Sequence, residues 1–125
     1  MAEYRVSGRA DADLLDIYLF GAAHFGRPQA VEYQMSFRHC FELLAENPKM
    51  GRHSPTIRAG LRRHEHGSHV VLYREETDHV LIVAVVHGRN VRNLKLKARD
   101  HFTLTNRTLH ALFAPIFRAP LALFC

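Results

Sequence analysis

Arginine is the residue type with the clearest chemical potential in this sequence, and it gathers in the middle of the chain. Its guanidinium group presents a rigid fork of donors that suits phosphate and carboxylate groups. These arginines lie on or beside three predicted strands, so the sequence predicts a polar binding surface on a sheet. Five positions make up the set: Arg58, Arg62, Arg63, Arg74 and Arg89. The alternative is an ordinary solvated sheet face, on which Glu65 and Glu75 neutralise part of the charge.

Other chemically capable side chains give weaker signals. His64 and His66 are two residues apart on a predicted strand and share a face, but no third metal ligand follows at useful spacing. Cys40 falls on the core face of a predicted helix, where we expect a buried and unreactive thiol. Ser54 and Ser68 lack the context of a nucleophile elbow, and no glycine-rich phosphate loop is present. We therefore predict no catalytic residue, no metal and no cofactor.

Length and composition favour one cytoplasmic domain. A chain of 125 residues can bury most of its apolar surface without disulfides or metals, and two cysteines are too few for a disulfide framework. The formal net charge of +5 favours an acidic partner, although solubility alone explains the charge equally well. The first residues lack the basic and then apolar run of a signal peptide, so we expect a cytoplasmic protein.

Three predicted strands position the arginines. Leu61 to Glu65 and Val70 to Arg74 are separated by the turn residues Gly67-Ser68. The third strand, Val80 to Val86, is apolar at every position and does not alternate. A strand of this kind is covered on both faces, which predicts a central place in an antiparallel sheet. Upstream of the strands, Lys49 to Arg58 is turn-rich and is predicted to be a loop.

Two predicted helices precede this sheet, after a short edge strand at Tyr4 to Ser7. The first runs from about Arg9 to Phe25, and Gly26-Arg27-Pro28 separates it from a second that ends near Glu46. Apolar residues at helical spacing define the two core faces. They are Ala10, Leu14, Ile17, Tyr18 and Gly21 on the first helix, and Ala30, Tyr33, Phe37, Cys40, Phe41 and Leu44 on the second. The predicted fold class is α+β: an N-terminal strand, an α-helical hairpin, and a three-stranded antiparallel meander packed on the helices.

The last part of the sequence changes character. We predict one domain over residues 1–97 and an atypical apolar tail over residues 98–125. The stretch 109–124 is strongly apolar but holds two prolines and Arg118, and it is shorter than the roughly 20 residues needed to span a bilayer. We therefore expect no membrane contact, and a tail that packs loosely on the domain, on a partner or on a second subunit.

Short motifs in a fixed order resemble the RelE/ParE superfamily of bacterial toxins, and within it the ParE-like branch. They cover about residues 3–96. The first half of the set is Tyr4-Arg5-Val6-Ser7, Ala10, Asp13-Leu14, Ile17-Tyr18, Phe25-Gly26 and Gln29-Ala30. The second half is Leu43 to Pro48, Gly51-Arg52, Gly60-Leu61-Arg62, His69 to Arg74, and Val83 to Arg89. The set as a whole carries the resemblance.

This resemblance implies the toxin component of a type II toxin–antitoxin system, with a helical hairpin on a small antiparallel sheet. It implies neutralisation by a cognate ParD-like antitoxin that wraps the toxin with its C-terminal segment. It also implies DNA gyrase as the poisoned target, with no enzymatic activity of the chain itself. We expect no direct sequence-specific binding of nucleic acid by the toxin alone. The residues expected to bind antitoxin or target are Arg58, Arg62, Arg74, His87 and Arg89.

Two alternatives stay open. RelE-like members of the superfamily cleave messenger RNA on the ribosome, but they usually carry an arginine where this chain has Val70, and no tyrosine follows Tyr73. A valine cannot stabilise a phosphate, so we expect no RNA cleavage, although His87 could stand in for the missing tyrosine. The second alternative is a non-toxic module that only binds antitoxin. It is suggested by the tail and by Val91, where ParE-like chains commonly have an aspartate.

Overall fold

The computed structural model describes residues 2–55 and 57–94. Its elements are β1 (Tyr4–Val6), α1 (Gly8–Phe25), α2 (Arg27–Glu46), β2 (Arg52–His53), β3 (Leu61–His66), β4 (His69–Glu75), β5 (Val80–His87) and a 3-10 helix (Gly88–Asn93). The predicted α+β class is confirmed, and the predicted tail lies outside the described residues. Neither helix of the described part has the length and apolar character needed to cross a membrane.

The five strands form one sheet in the order β1-β5-β4-β3-β2. β1 runs parallel to β5, and the other neighbours are antiparallel. The prediction of a loop over residues 49–58 is wrong for Arg52 and His53, which pair with Arg63 and Arg62 of β3. Two residues are too few to show an alternating pattern, so the sequence carries no signal for β2.

β5 lies inside the sheet, between β1 and β4, although β4 is the middle strand. Every residue from Val80 to Val86 is buried, as the unbroken apolar run predicts. The helices cover one face of the sheet, where the core contains Val6, Ala10, Leu14, Phe37, Cys40, Phe41, Leu44, Val71, Tyr73, Val80, Ile82 and Val85. A second apolar cluster on the opposite face contains Leu61, Val70, Leu72, Leu81, Val83, Ala84, Val86 and Val91.

The helical hairpin begins and turns where the sequence predicts. Ser7 caps α1, since its hydroxyl accepts a hydrogen bond of 3.0 Å from the amide of Ala10. Gly26 ends α1 and precedes α2 with a φ of 93°, a conformation that favours glycine. Pro28 then stands in the first turn of α2, where its missing amide proton is not needed.

Two side chains fasten α1 to β5 beyond the end of β1. The hydroxyl of Ser7 donates to the carbonyl of Val83 at 2.7 Å. One turn into the helix, a carboxylate oxygen of Asp13 accepts from the amide of Val85 at 2.9 Å. Because the pairing of β1 with β5 ends at Ile82, these bonds satisfy the Val83 carbonyl and the Val85 amide in place of a neighbouring strand. The start of α1 therefore replaces the missing continuation of β1.

Candidate protein-binding groove

A groove of about 980 Å³ lies where the helical hairpin meets the end of β5. Both helices, the turn between β3 and β4, and the residues after β5 contribute to it. The apolar and aromatic part of its lining is Ile17, Phe20, Phe25, Ala30, Tyr33, Val85, Val86 and Leu94. A concave surface with this composition suits an apolar ligand or the apolar face of a peptide.

Two phenylalanines of α1 are exposed at the groove. Phe20 is 58 % exposed and Phe25 is 60 % exposed. Their ring centroids lie 6.5 Å apart, and Phe20 also stacks on His24 at 3.9 Å. Exposed aromatic side chains beside a groove are typical of protein-binding surfaces. Neither was predicted from the sequence as a binding residue, although large apolar residues off the core face of an amphipathic helix are the signal that indicates such positions.

Tyr33 closes one end of the groove over the β3–β4 turn. Its hydroxyl donates to the carbonyl of His66 at 3.3 Å and lies 2.8 Å from Nδ1 of His69. The neighbouring Ser36 hydroxyl lies 2.8 Å from Nε2 of His66. Gly67 in the turn has a φ of 58°, and a Cβ there would stand 2.8 Å from the Tyr33 hydroxyl. These contacts fix α2 to the turn and hold the tyrosine ring at the groove.

Three histidines gather at the same end. The ring centroids of His69 and His87 are 5.5 Å apart, and both residues line the groove. Burial lowers the pKa of His66 and of His69, and the neighbouring imidazoles lower the pKa of each further. At neutral pH the imidazoles of His66 and His69 therefore offer hydrogen bonds and ring surface rather than positive charge.

The charged part of the groove lining is mainly acidic. Asp13, Asp16 and Glu32 lie along it, and Arg9 is the one lysine or arginine among its described lining residues. Arg9 lies 3.5 Å from Asp13. Burial raises the pKa of Asp13 to about 6, against the lowering effects of the Val85 amide and Arg9. The groove thus carries a local charge opposite to the net +5 of the whole chain.

Three of the five predicted binding residues lie at the end of the sheet away from the groove, where β4 ends at Glu75 and β5 begins at Val80. We call this the far end. Arg74 forms an ion pair of 2.7 Å with Glu76, one residue beyond the glutamate proposed from the sequence. Arg62 donates to the carbonyl of Gly51 at 2.6 Å, so its guanidinium group has a structural contact. Arg58 lies half-buried in the turn that leads into β3. This end of the sheet also holds the short strand β2.

The other two predicted residues stand at the groove end. His87 lines the groove, and Arg89 is exposed two residues later, where its amide donates to Nδ1 of His87 at 3.3 Å. Arg74 faces Leu81 in the sheet, six residues before His87 along β5. At about 3.3 Å per residue, the two sets are roughly 20 Å apart. The structure therefore brings the five residues together as two sets, and their binding roles stay predictions.

Tyr73 organises the far end. It is wholly buried, its hydroxyl donates to the carbonyl of Pro48 at 2.8 Å, and it accepts from the amide of Gly51 at 2.7 Å. A Cβ on Gly51 would stand 2.5 Å from the Tyr73 hydroxyl and 2.7 Å from the carbonyl of Arg63. Only glycine fits here, which gives the Gly51-Arg52 motif a packing reason.

Within residues 2–55 and 57–94 the structure contains no site for metal binding and no reactive thiol. No group of three histidine, cysteine, aspartate or glutamate side chains in that part is arranged to hold a metal ion. The imidazole of the half-buried His66 contacts the Ser36 hydroxyl instead. Cys40 is buried, and burial raises its pKa to about 11, so little thiolate forms at neutral pH.

Comparison with known proteins supports the family that the sequence motifs resemble. A family model described as the ParE toxin of the type II toxin–antitoxin system parDE matches residues 4–92. Toxin ParE1 of Caulobacter vibrioides is 42 % identical over 87 residues, which cover 70 % of this chain and 90 % of that protein. Toxin ParE1 of Mycobacterium tuberculosis is 33 % identical over 89 residues, which cover 70 % of this chain and 91 % of that protein.

A solved structure described as the chromosomal ParDE TA system from P. aeruginosa supports the fold. It matches with a TM-score of 0.60 at 19 % identity, covering 70 % of this chain and 96 % of that one. The family match over residues 4–92 includes both helices, all five strands and most of the groove lining. The chain therefore belongs to the ParE toxin family of type II toxin–antitoxin systems.

Proposed function

We propose that this chain is a cytoplasmic toxin that a cognate antitoxin neutralises, and that the groove receives the antitoxin's C-terminal segment. The observation that carries the proposal is the apolar groove beside the exposed rings of Phe20 and Phe25. A segment that folds on binding can lay an apolar face into such a groove. The ring surface left exposed in the isolated chain would then be buried in the complex.

The two sets of predicted binding residues suggest two partners. His87 and Arg89 stand beside the groove and would contact the antitoxin, whose polar groups can bond the imidazole and pair with the guanidinium. Arg58, Arg62 and Arg74 lie at the far end and would serve the target. Of these, Arg62 would act through the loop that it holds by its bond to Gly51.

For the target we propose DNA gyrase, with the chain acting as an inhibitor rather than as an enzyme. Two observations disfavour a ribonuclease site on the sheet. Val70, at the position where RelE-like chains usually have an arginine, is 2 % exposed. The hydroxyl of Tyr73 already bonds Gly51 and Pro48 in the interior, so it cannot reach an RNA phosphate.

Antitoxin binding tests the groove. The measurement is calorimetric titration of the full chain with the antitoxin encoded beside it, comparing Phe20→Lys with Leu19→Lys. Both side chains are more than half exposed on the same helix, but Leu19 lies outside the groove lining. We expect Phe20→Lys to weaken binding at least about tenfold, which corresponds to roughly 1.4 kcal/mol, and Leu19→Lys to have little effect. Equal affinities for the two variants would contradict the groove as the antitoxin site.

Supercoiling by purified gyrase tests the target. The full chain is titrated into the reaction, and linear DNA is scored after detergent and protease. Inhibition with trapped double-strand breaks supports the gyrase poison. Unchanged supercoiling, with protein shown to be folded, contradicts it and favours the non-toxic binding module. Codon-phased cuts in translated message would instead support the RelE-like ribonuclease.

A further inference from the structure

We propose that the groove has a second occupant, the chain's own tail over residues 98–125, and that the tail competes there with the antitoxin. The competition rests on the proposed function of the groove. The occupancy by the tail does not rest on that function, because it is argued from the position, the apolar character and the charge of the groove and of the tail.

The position of the last described residues places the tail beside the groove. Asn90 and Leu94 both line it, and Leu94 is where the described chain ends. Residues 95–108 then connect to the apolar stretch 109–124. Fourteen connecting residues can span up to about 45 Å when extended. This reach exceeds the length of β5, so every part of the groove is accessible to the apolar stretch.

The apolar character of the stretch matches that of the groove. Residues 109–124 contain leucines, alanines, phenylalanines and an isoleucine, with His110 and Arg118 as their polar side chains. Such a stretch gains free energy by leaving water, at roughly 25 cal/mol per Å² of apolar surface buried. The groove offers apolar walls, and Phe20 and Phe25 stand exposed at its side. The groove therefore offers burial to the apolar side chains of this stretch.

Charge favours the same pairing. The residues after Leu94 contain five basic side chains and one acidic one: Lys95, Lys97, Arg99, Arg107 and Arg118, against Asp100. The described lining of the groove contains three carboxylates and one arginine. Opposite charges along the rim steer such a segment into the groove.

Covalent connection makes even a weak contact effective. A tethered ligand acts at an effective concentration of about 1 mM when its connector is short and flexible. The antitoxin must displace the tail, so the apparent affinity falls in proportion to the fraction of chains with an open groove. The tail would therefore set a threshold for antitoxin binding without adding any contact to the complex.

A spin label on Cys125 tests the occupancy in the full chain. The sequence has two cysteines, and Cys40 is buried with a raised pKa, so a thiol-reactive nitroxide at neutral pH modifies Cys125 selectively. We expect loss of amide signal intensity at Ile17, Ala30 and Val85 in the groove. The amides of β2, at the opposite edge of the sheet, should keep their intensity. Uniform intensity across both regions, or loss at β2 alone, would overturn the proposal.

A mixing control separates this chain's own tail from that of a second copy. Isotope-labelled chain without nitroxide is mixed with unlabelled chain carrying nitroxide. Unchanged groove signals support binding of the tail to its own domain. Signal loss in the mixture equal to that in the singly labelled sample would show a second copy in the groove and overturn the intramolecular form.

Antitoxin affinity tests the competition. The full-length double variant Leu112→Glu, Phe113→Glu removes apolar surface and adds repulsion from the acidic rim, so we expect antitoxin affinity to rise about fivefold or more as the tail leaves the groove. Unchanged affinity would overturn the competition. If Phe20→Lys leaves antitoxin binding intact while the nitroxide effect persists, the proposed antitoxin site fails and the occupancy by the tail stands.

Discussion

Two tyrosines, Tyr73 and Tyr33, stand at opposite ends of the same sheet and are used differently. Tyr73 is wholly buried, and its hydroxyl has one donor and one acceptor in the backbone of the loop around Gly51. Tyr33 is half-buried and lines the groove, and its hydroxyl contacts the carbonyl of His66 and the imidazole of His69. One ring locks a loop in place, and the other presents a surface that a partner can cover.

The difference extends to the polar groups around each ring. At the far end, the hydrogen bonds of Tyr73 and Arg62 hold the loop at Pro48 and Gly51. Three buried side-chain atoms of the described residues have no hydrogen-bond partner: Oδ2 of Asp11 and Oε1 of Gln34 in the helical hairpin that forms the groove wall, and Nε of Arg63 on β3 at the far end. Buried unpaired polar groups reduce stability. Two of the three unpartnered atoms therefore lie in the hairpin, so the groove wall gives up more stability than the loop that Tyr73 and Arg62 hold.

The largest effect on stability should come from adding a methyl group at the tightly packed Gly51 of the far end. Gly51→Ala places a methyl group 2.5 Å from the Tyr73 hydroxyl and 2.7 Å from the backbone of Arg63. We expect a loss of roughly 3 kcal/mol in the free energy of unfolding, measured by urea denaturation. Gly88→Ala is the control at the groove end, since its methyl would lie 3.4 Å from the nearest atom. Equal losses for the two variants would show that the packing around Gly51 is no tighter than that around Gly88.

The pH dependence of stability in Asp11→Asn tests the unpartnered carboxylate in the helical hairpin. Burial raises the pKa of Asp11 to about 7 from 3.8, so the folded state holds a proton that the unfolded chain releases. Its contribution to stability is therefore full below about pH 4 and is lost as pH rises through 7. A three-unit rise corresponds to at most roughly 4 kcal/mol, and relaxation around the charge reduces it, so we expect the variant to be about 2 kcal/mol more stable at pH 8.

The control for this prediction is the wild-type chain at pH 4, where the two proteins should unfold at similar urea concentrations. A stabilisation that stays the same from pH 4 to pH 8 would show that the carboxylate charge is not its cause.

Removing each tyrosine hydroxyl compares the two ends directly. Tyr73→Phe leaves the buried amide of Gly51 without its acceptor, so we expect a loss of about 1–2 kcal/mol in the free energy of unfolding. Tyr33→Phe loses bonds beside solvent, which can replace them, and we expect less than about 0.5 kcal/mol. Thermal unfolding of both variants provides the measurement. A larger loss for Tyr33→Phe would reverse our assignment of the two ends.

The smallest effect on stability should come from the groove surface itself. Phe20→Lys changes a side chain that is 58 % exposed, so we expect the free energy of unfolding to change by no more than about 0.5 kcal/mol. Its effect on antitoxin binding should be much larger. A variant that melts well below the wild type would show that Phe20 stabilises the hairpin, and the loss of binding would then need a different explanation.

The sequence predicts the helices and the longer strands well because their signals are local. The periods of α1 and α2 and the unbroken run of β5 are each contained in one segment. The parallel pairing of β1 with β5 has no local signal, because it depends on which edge remains open after the meander forms. β2 is missed for a different reason, since a strand of two residues is too short to show an alternating pattern.

The site could be predicted only in part. A set of arginines on neighbouring strands is visible in the sequence, but whether they share a surface depends on register and on their distances along the strands. Register places Arg74 opposite Leu81, far from His87 and Arg89. The groove is built from segments as distant as Arg9 and Leu94, so no window of the sequence contains it.

The bonds that join α1 to β5 also set the order of events in folding. Ser7 reaches Val83 across 76 residues, and Asp13 reaches Val85 across 72. Contacts of such separation form late, because the entropy of closing the intervening chain must be offset first. During synthesis the N-terminal helices leave the ribosome before β5 does. A newly made chain therefore completes its groove only when β5 has been added, and an antitoxin that binds in the groove would capture the chain only from that point on.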